Sequence, residues 1–480
     1  MNAPDTAKSR RLSPLVLGAF ASAALPVGAL QLPLAVYLPN YYASHIGLSL
    51  AAVGFAFIFV QLAAIGMDPL LGIAMEGTRS RFGRFRPWLA ASVPVLIAGT
   101  VMVFLARPGV GTAYLIGWLL FFFLGYSMSM LATTAWGAVL VPDYNERSRL
   151  YAWVQFSGLA GAVLLLFLPP LLTNLFHADQ EAVVHAMGWF LIVSVPLTVM
   201  LAIGIAREPR HSLPERERFG WRDYHALIVQ PNMRRVLAAN FFLTLGPAMT
   251  GALYFFFFCD ARGYTLGQAN TLLFIYLAAG LGGAPFFAWV ANRIGKHRAL
   301  VVAAALNVVT QIGVLVLPKA SMELMVPAMF VVGFIANCYQ LILNAMVADV
   351  CDEVRLDAGR DRTALLYSLM TCTLKIGSAV PVGITFPILA VLGFNPAEGA
   401  ANTPQALRGL ELCFVIVPVL VIVFGGLSMW GYRLDKARHA EIRVQLDARD
   451  AAVLAEERLA LEHPISVALA ETAGPHSFPP

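Results

Sequence analysis

Residues 67–88 read MDPLLGIAMEGTRSRFGRFRPW. An apolar helix enters Asp68-Pro69, runs on to Gly77, and breaks into a basic loop carrying Arg79, Arg81, Arg84 and Arg86. A second apolar helix starts at Pro87. Asp68 precedes the break at Gly77 by nine residues, so a rise of 1.5 Å per residue sets it roughly 13 Å inside the span. An ionisable group at that depth is costly and marks a functional site. The structural alternative is that Asp68 caps a helix restarted at Pro69, which is favourable N-cap and N1 chemistry.

Working outward, the whole chain is built for lipid. Of its 480 residues 59% are hydrophobic and only 13% charged, too little charge to cover a soluble domain of this length. Five cysteines (Cys259, Cys338, Cys351, Cys372, Cys413) fall in or beside apolar runs. They form no CxxC pair, so they read as small buried apolar residues rather than a disulfide framework. The polar, basic start (Lys8, Arg10, Arg11) leads into an apolar run too long for a signal-peptide core, which reads as a retained first span.

Apolar runs long enough to cross a bilayer recur about twelve times. They predict spans at 14–38, 50–76, 87–106, 113–141, 150–174, 185–205, 236–259, 270–291, 299–317, 325–347, 364–392 and 411–432. The basic residues orient them. The N-terminus, the loops after even-numbered spans and the C-terminal tail hold 28 Lys and Arg, against four in the loops after odd-numbered spans (Arg107, Arg262, Lys319, Arg408). Such a bias places both termini in the cytoplasm.

An internal repeat supports two halves. Arg81-Phe82-Gly83-Arg84-Phe85-Arg86 follows span two, and Arg293-Ile294-Gly295-Lys296-His297-Arg298 follows span eight at an offset of 212 residues. Acidic–basic segments likewise follow span four (Asp143 to Arg147) and span ten (Asp349 to Arg355). The fold expected is an all-α integral membrane protein of twelve transmembrane helices in two six-helix bundles. The division is 1–205, a cytoplasmic linker at 206–235 with an amphipathic stretch near Trp221 to Leu227, a second bundle at 236–432, and a charged cytoplasmic tail at 433–480. The repeated loop basics read first as topology determinants. They also suggest a cytoplasmic gate latch of Arg81, Arg84, Arg147 and Arg293 against Glu76, Asp143, Asp349 and Asp352.

Lys375 is the one remaining cation, inside span eleven and about a dozen residues past Arg362, roughly 18 Å deep. Opposite charges at similar depth in the two halves are best placed in a shared polar cavity; the alternative is a purely structural lock. Neutral candidates for the lining are Tyr126, Ser127, Ser129, Thr133, Thr134 and Trp136 in span four, Asn240 and Thr244 in span seven, Asn337, Tyr339, Gln340 and Asn344 in span ten, and Thr371, Thr373 and Ser378 in span eleven. Amides and hydroxyls beside an aromatic ring suit a polyol, while each of these residues alone is also ordinary interhelical glue. No phosphate loop, zinc-ligand spacing or nucleophile–base arrangement is present, so neither an enzyme nor a resident cofactor or metal is expected.

Three segments carry a family resemblance: DPLLG…TRSRFGRFRPW, AWGAVLVPDYNERSRL, and MVADVCDEVRLDAGRDRTALLYSLMTCTLKIGSAV. The chain resembles the glycoside–pentoside–hexuronide:cation symporters, the branch of the major facilitator superfamily that includes melibiose permease. The resemblance implies alternating access to a central site, a cation-site carboxylate at Asp68 and the family lysine at Lys375. Departures accompany it. The family's second carboxylate one turn before Asp68 is Ala64, the acid of span one is absent, that of span four falls near Met130, and the arginine of span five falls on Val154 beside Gln155. Coupling to H+ is therefore favoured over Na+, because a hard cation wants several oxygens and a proton one titratable group. The function expected is secondary transport of a sugar or glycoside-like solute across the inner membrane by a monomer, without a nucleic-acid partner. The alternatives are a less polar lipid- or aglycone-like cargo, and a non-transporting sensor or scaffold.

Overall fold

The computed structural model describes residues 12–140, 144–206, 225, 227–336, 338–358, 362–397, 399–449 and 451–452. Among them the fold is helical throughout. The order is α1 (Pro14–Ser22), α2 (Ala24–Ala29), a π-helical turn (Pro33–Tyr37), α3 (Leu38–Ser44), α4 (Leu50–Gly77), α5 (Arg86–Phe104), α6 (Thr112–Leu140), α7 (Tyr144–Leu175) and α8 (Gln180–Ile205). After the linker come α9 (Pro231–Ala252), a second π-helical turn (Phe256–Ala261), α10 (Leu266–Ile294), α11 (Lys296–Val316), α12 (Met322–Ala336), α13 (Cys338–Ala358), α14 (Thr363–Val391) and α15 (Pro404–Leu427). A last helix, α16, covers 436–449.

Helix starts follow local chemistry. Ser49 accepts from Ala52 N at 3.3 Å, Asp179 from Ala182 N at 2.9 Å and Thr403 from Ala406 N at 3.2 Å. Thr265 and Gln268 form a reciprocal capping box. Both repeated loops turn on their glycine: Gly83 has φ +111° and Gly295 φ +94°, a region that favours glycine.

Nine helices among the described residues are long and apolar enough to cross a membrane, or eleven when two bent pairs each count as one span. One bent pair is the first span, which Pro26, Pro33 and Pro39 break into segments and which runs on to Ser44 rather than ending at 38. The other bends by 41° between Gly283 and Pro285 in α10. The span expected at 236–259 is α9 with its π continuation, and the span expected at 325–347 is longer, because α12 and α13 together reach Ala358. Asp349 to Arg355 therefore lie on a helix and not in a loop. The linker expected at 206–235 lies mostly outside the described residues, as does the tail beyond 452; Leu227 is buried against the second half.

Side chains aimed outward are apolar. Leu70, Ile73, Val309 and Val391 are 66–88% exposed, as a lipid-facing surface requires. Packing among helices relies on small residues. A Cβ on Gly283 would lie 1.7 Å from the Phe334 carbonyl oxygen, and one on Gly333 would lie 1.9 Å from that of Tyr276, so α10 and α12 touch backbone to backbone. Substituting Gly333→Ala is expected to cost about 1–3 kcal/mol or more, because backbone rather than a mobile side chain must yield. Thermal unfolding in detergent measures it; an unchanged midpoint would contradict this packing.

Candidate functional site

The Arg-rich loops share one face of the molecule, here termed the basic face. α4 descends to it and α14 rises from it, antiparallel and in contact. Their approach is close because a Cβ on Gly383 would meet Ile58 at 2.8 Å and one on Gly54 would meet the Val382 oxygen at 3.0 Å. Two turns further along the seam, Lys375 Nζ donates to Asp68 Oδ2. Asp68 Oδ1 is buried without a hydrogen-bond partner in the structure. α4 continues unbroken through Pro69, so no helix restarts there and Asp68 does not cap one.

Lys375 fronts a cavity of about 290 Å³ between the two halves. Asp68 is not part of the cavity wall, whereas Lys375, which it holds, is. The wall takes polar groups from span one (Gln31), α4 (Gln61), α6 (Tyr126, Ser127), α9 (Thr244) and α14 (Thr371, Ser378). The remainder is apolar and includes Leu34, Ala64, Phe123, Met130, Leu374 and Val382. Gln31 lies within hydrogen-bonding reach of Tyr126. Gln31 and Gln61 were not among the sequence candidates, although a lone amide in an apolar span is itself a signal.

Tyr126, Ser127, Thr244, Thr371 and Ser378 are the neutral candidates that reach this wall. Ser129, Thr133 and Trp136 point the other way on α6, 1%, 6% and 0% exposed, with the Trp136 ring edge-on to Phe20 at 5.1 Å. Asn240 is fully buried and donates to the Met370 carbonyl at 3.0 Å. Thr373 bonds the Leu369 carbonyl within its own helix, and Gln340 bonds Asn344. Gln155 is exposed, and Asn337 lies outside the described residues. The helical phase of α6 decides the matter. Phe123, Tyr126, Ser127 and Met130 make one stripe, and Ser129, Thr133 and Trp136 another.

On the basic face, Lys296 Nζ, the counterpart of Arg84 in the repeat, holds both Asp349 oxygens at 2.7 and 2.8 Å. Asp352 pairs with the tail, accepting His439 Nε2 at 2.9 Å and Arg443 at 3.5 Å. The latch expected for Arg293 takes another form, because its guanidinium stacks over Trp289 at 5.0 Å. Arg81 lies over Phe82, and Arg84 donates to the Met75 carbonyl. Asp143 lies outside the described residues, as do the side chains of Glu76 and Arg147. The tail is more than a solvated helix, since Ile442 and Leu446 of α16 are buried in the core of the second half.

Residues 19–436 match the family model described as MFS/sugar transport protein. An isoprimeverose transporter from Lactiplantibacillus pentosus is 25% identical over 83% of this chain and 84% of its own. A glucuronide carrier protein homolog from Escherichia coli is 22% identical over 86% and 91%. In fold, the chain resembles the nucleoside transporter NupG, with a TM-score of 0.66 at 11% identity, covering 87% of this chain and 99% of that one. A bacterial homolog of the human lysosomal transporter Spinster gives 0.59 at 16% identity, over 90% and 97%.

Proposed function

We propose a solute class and a coupling mode from one premise: this chain belongs to the MFS/sugar transport protein family. It is a multi-pass membrane protein and a secondary transporter of sugar-like solutes, not an enzyme. The solute we infer is a glycoside or small oligosaccharide, and the coupling ion is the proton. The basic face is cytoplasmic, with both termini there, and the membrane is a bacterial inner membrane. The chain acts as a monomer of two six-helix bundles, 1–205 and 236–432, joined by the linker at 206–235 and followed by the tail at 433–480.

One observation carries the mechanism: a lysine from one half, fronting the cavity, is held by an acid from the other half. While Asp68 is charged, Lys375 is pinned across the seam. A proton arriving at Asp68 removes the charge that holds the ammonium. The freed lysine then donates to solute oxygens in the chamber, alongside Gln31, Gln61, Tyr126 and Thr371. Discharge of the proton after the halves rock restores the pair and ejects the solute. A hard cation fits this arrangement less well. It wants six or more oxygens, yet Asp68 faces an ammonium and Ala64 supplies no second carboxylate.

The chamber sits near the lower end of ligand-pocket volumes, about 300–1,000 Å³. Its mostly apolar wall favours a second reading, a glycoside whose aglycone or a lipid-like portion makes most of the contact. Uptake of labelled glycosides, simple sugars and aglycones into proteoliposomes under a proton gradient, a sodium gradient or neither decides among these. Accumulation of a glycoside under the proton gradient alone is the expected result. Accumulation with sodium alone would overturn the proton assignment, and transport restricted to aglycones would favour the second reading.

A further inference from the structure

The first helix of each half carries a π-helical turn at the same place, Pro33–Tyr37 in span one and Phe256–Ala261 after α9. Such turns are rare and concentrate at functional sites. Here they build a plug on the far side of the cavity from the basic face. Tyr37 donates to Asn270 Oδ1 across the seam at 2.8 Å, and its ring meets Phe255 at 5.0 Å. Phe256 packs on Phe386 at 5.6 Å and on Phe394 at 5.3 Å. Asn174 adds a second bridge, to Thr271 at 3.0 Å.

Above this plug lies another chamber, of about 310 Å³, on the same seam. Its wall combines Asn40, Asp179 and Gln180 of the first half with Phe255, Phe256 and Asp260 of the second. Asn40 is only 4% exposed, and its oxygen accepts from Gln180 Nε2. Ser44 donates to Gln180 Oε1 at 3.3 Å, which fixes the amide pair. Asp260 has no hydrogen bond or ion pair among the described residues. Asp260, the second oxygen of Asp179 (the first caps α8) and two ordered amides are groups that hydrogen-bond the hydroxyls of a polyhydroxylated ring. The central chamber has amides and aromatic rings of its own (Gln31, Gln61, Phe123, Tyr126), but no carboxylate stands in its wall.

We propose that this outer chamber is a second solute site, which holds the hydroxyl-rich solute above the Tyr37–Phe255–Phe256 plug before it passes to the Lys375 chamber. The proposal rests on the sugar-like solute reading. It assigns recognition of the sugar hydroxyls to the mouth of the path, and it gives the span-seven acid Asp260 a use that a role in packing alone would not require.

Equilibrium dialysis of the purified full chain against labelled methyl β-D-glucoside and labelled lactose tests it by stoichiometry. The wild type is expected to bind two equivalents. Asp260→Asn is expected to weaken the outer site about tenfold, as loss of one hydrogen bond to a charged group predicts, leaving one equivalent at the original affinity. Asp260→Glu is expected to restore the second equivalent. Thr371→Trp, which fills the central chamber, is expected to remove the other equivalent and leave the one sensitive to Asp260. A wild type that binds one equivalent, lost in Thr371→Trp and untouched in Asp260→Asn, overturns the outer site alone. One equivalent lost only in Asp260→Asn supports the outer site and counts against the central one. Absence of binding by either probe overturns the solute class and this site with it. Unchanged thermal unfolding of Asp260→Asn separates loss of the site from loss of the fold.

Discussion

Asp68→Asn is expected to abolish accumulation while leaving exchange. A potential of 100 mV is worth about 2.3 kcal/mol per charge moved, so a coupled transporter accumulates its solute about fiftyfold. Without a titratable group at position 68 the driving ion has no seat, and the ratio falls to about one. The amide preserves shape and α4 is continuous through Pro69, so the helix itself is undisturbed. Counterflow of labelled against unlabelled solute needs no net proton movement and is expected to persist. Retained accumulation in Asp68→Asn would remove Asp68 from the coupling role; loss of both accumulation and counterflow would make it a structural lock.

Lys375→Met is the second large effect. It leaves the Asp68 carboxylate, whose Oδ1 is already unpartnered, with no countercharge at the largely buried seam between α4 and α14. Breaking a fully buried pair costs about 3–5 kcal/mol. Here the side chains of Lys375 and Asp68 are 30% and 15% exposed, so roughly 2 kcal/mol is the appropriate size. Uptake is expected to fall by more than tenfold, since the cavity also loses its cationic donor, and the midpoint of thermal unfolding is expected to drop. Combining Lys375→Met with Asp68→Asn removes both charges. The double variant is expected to regain the stability that Lys375→Met lost, yet not the accumulation, a coupling that only a direct pair produces. Additive losses in the double variant would contradict the contact.

The similar depths of Asp68 and Lys375 were legible because they could be counted from the Gly77 and Arg362 ends of α4 and α14, whereas their direct contact was not, since counting along two helices does not fix which faces meet. The basic loops were legible because Arg-x-Gly-[Arg/Lys] repeats, and both glycines do turn with positive φ. The cavity wall was not. On α6, two stripes of equal periodicity run the length of the helix. Facing lipid, core or chamber selects similar residues in a membrane, so hydropathy could not choose Tyr126 over Trp136. The π turns were hidden for a different reason. Prolines announced a broken first span, but the second turn lies within a run of phenylalanines whose pattern fits an ordinary helix. The docking of α16 through Ile442 and Leu446 was present as an i, i+4 pair and was obscured by the charges around it.

The most direct measurement is the pH change that solute itself causes. In lightly buffered, de-energised vesicles a downhill solute pulse should carry protons with it, so the external medium turns alkaline in proportion to the solute moved. That alkalinisation is expected with the wild type and absent with Asp68→Asn, although the solute still equilibrates. An equal alkalinisation with Asp68→Asn, or solute entry with no pH change in the wild type, would contradict the assignment of the Asp68–Lys375 pair as the coupling centre.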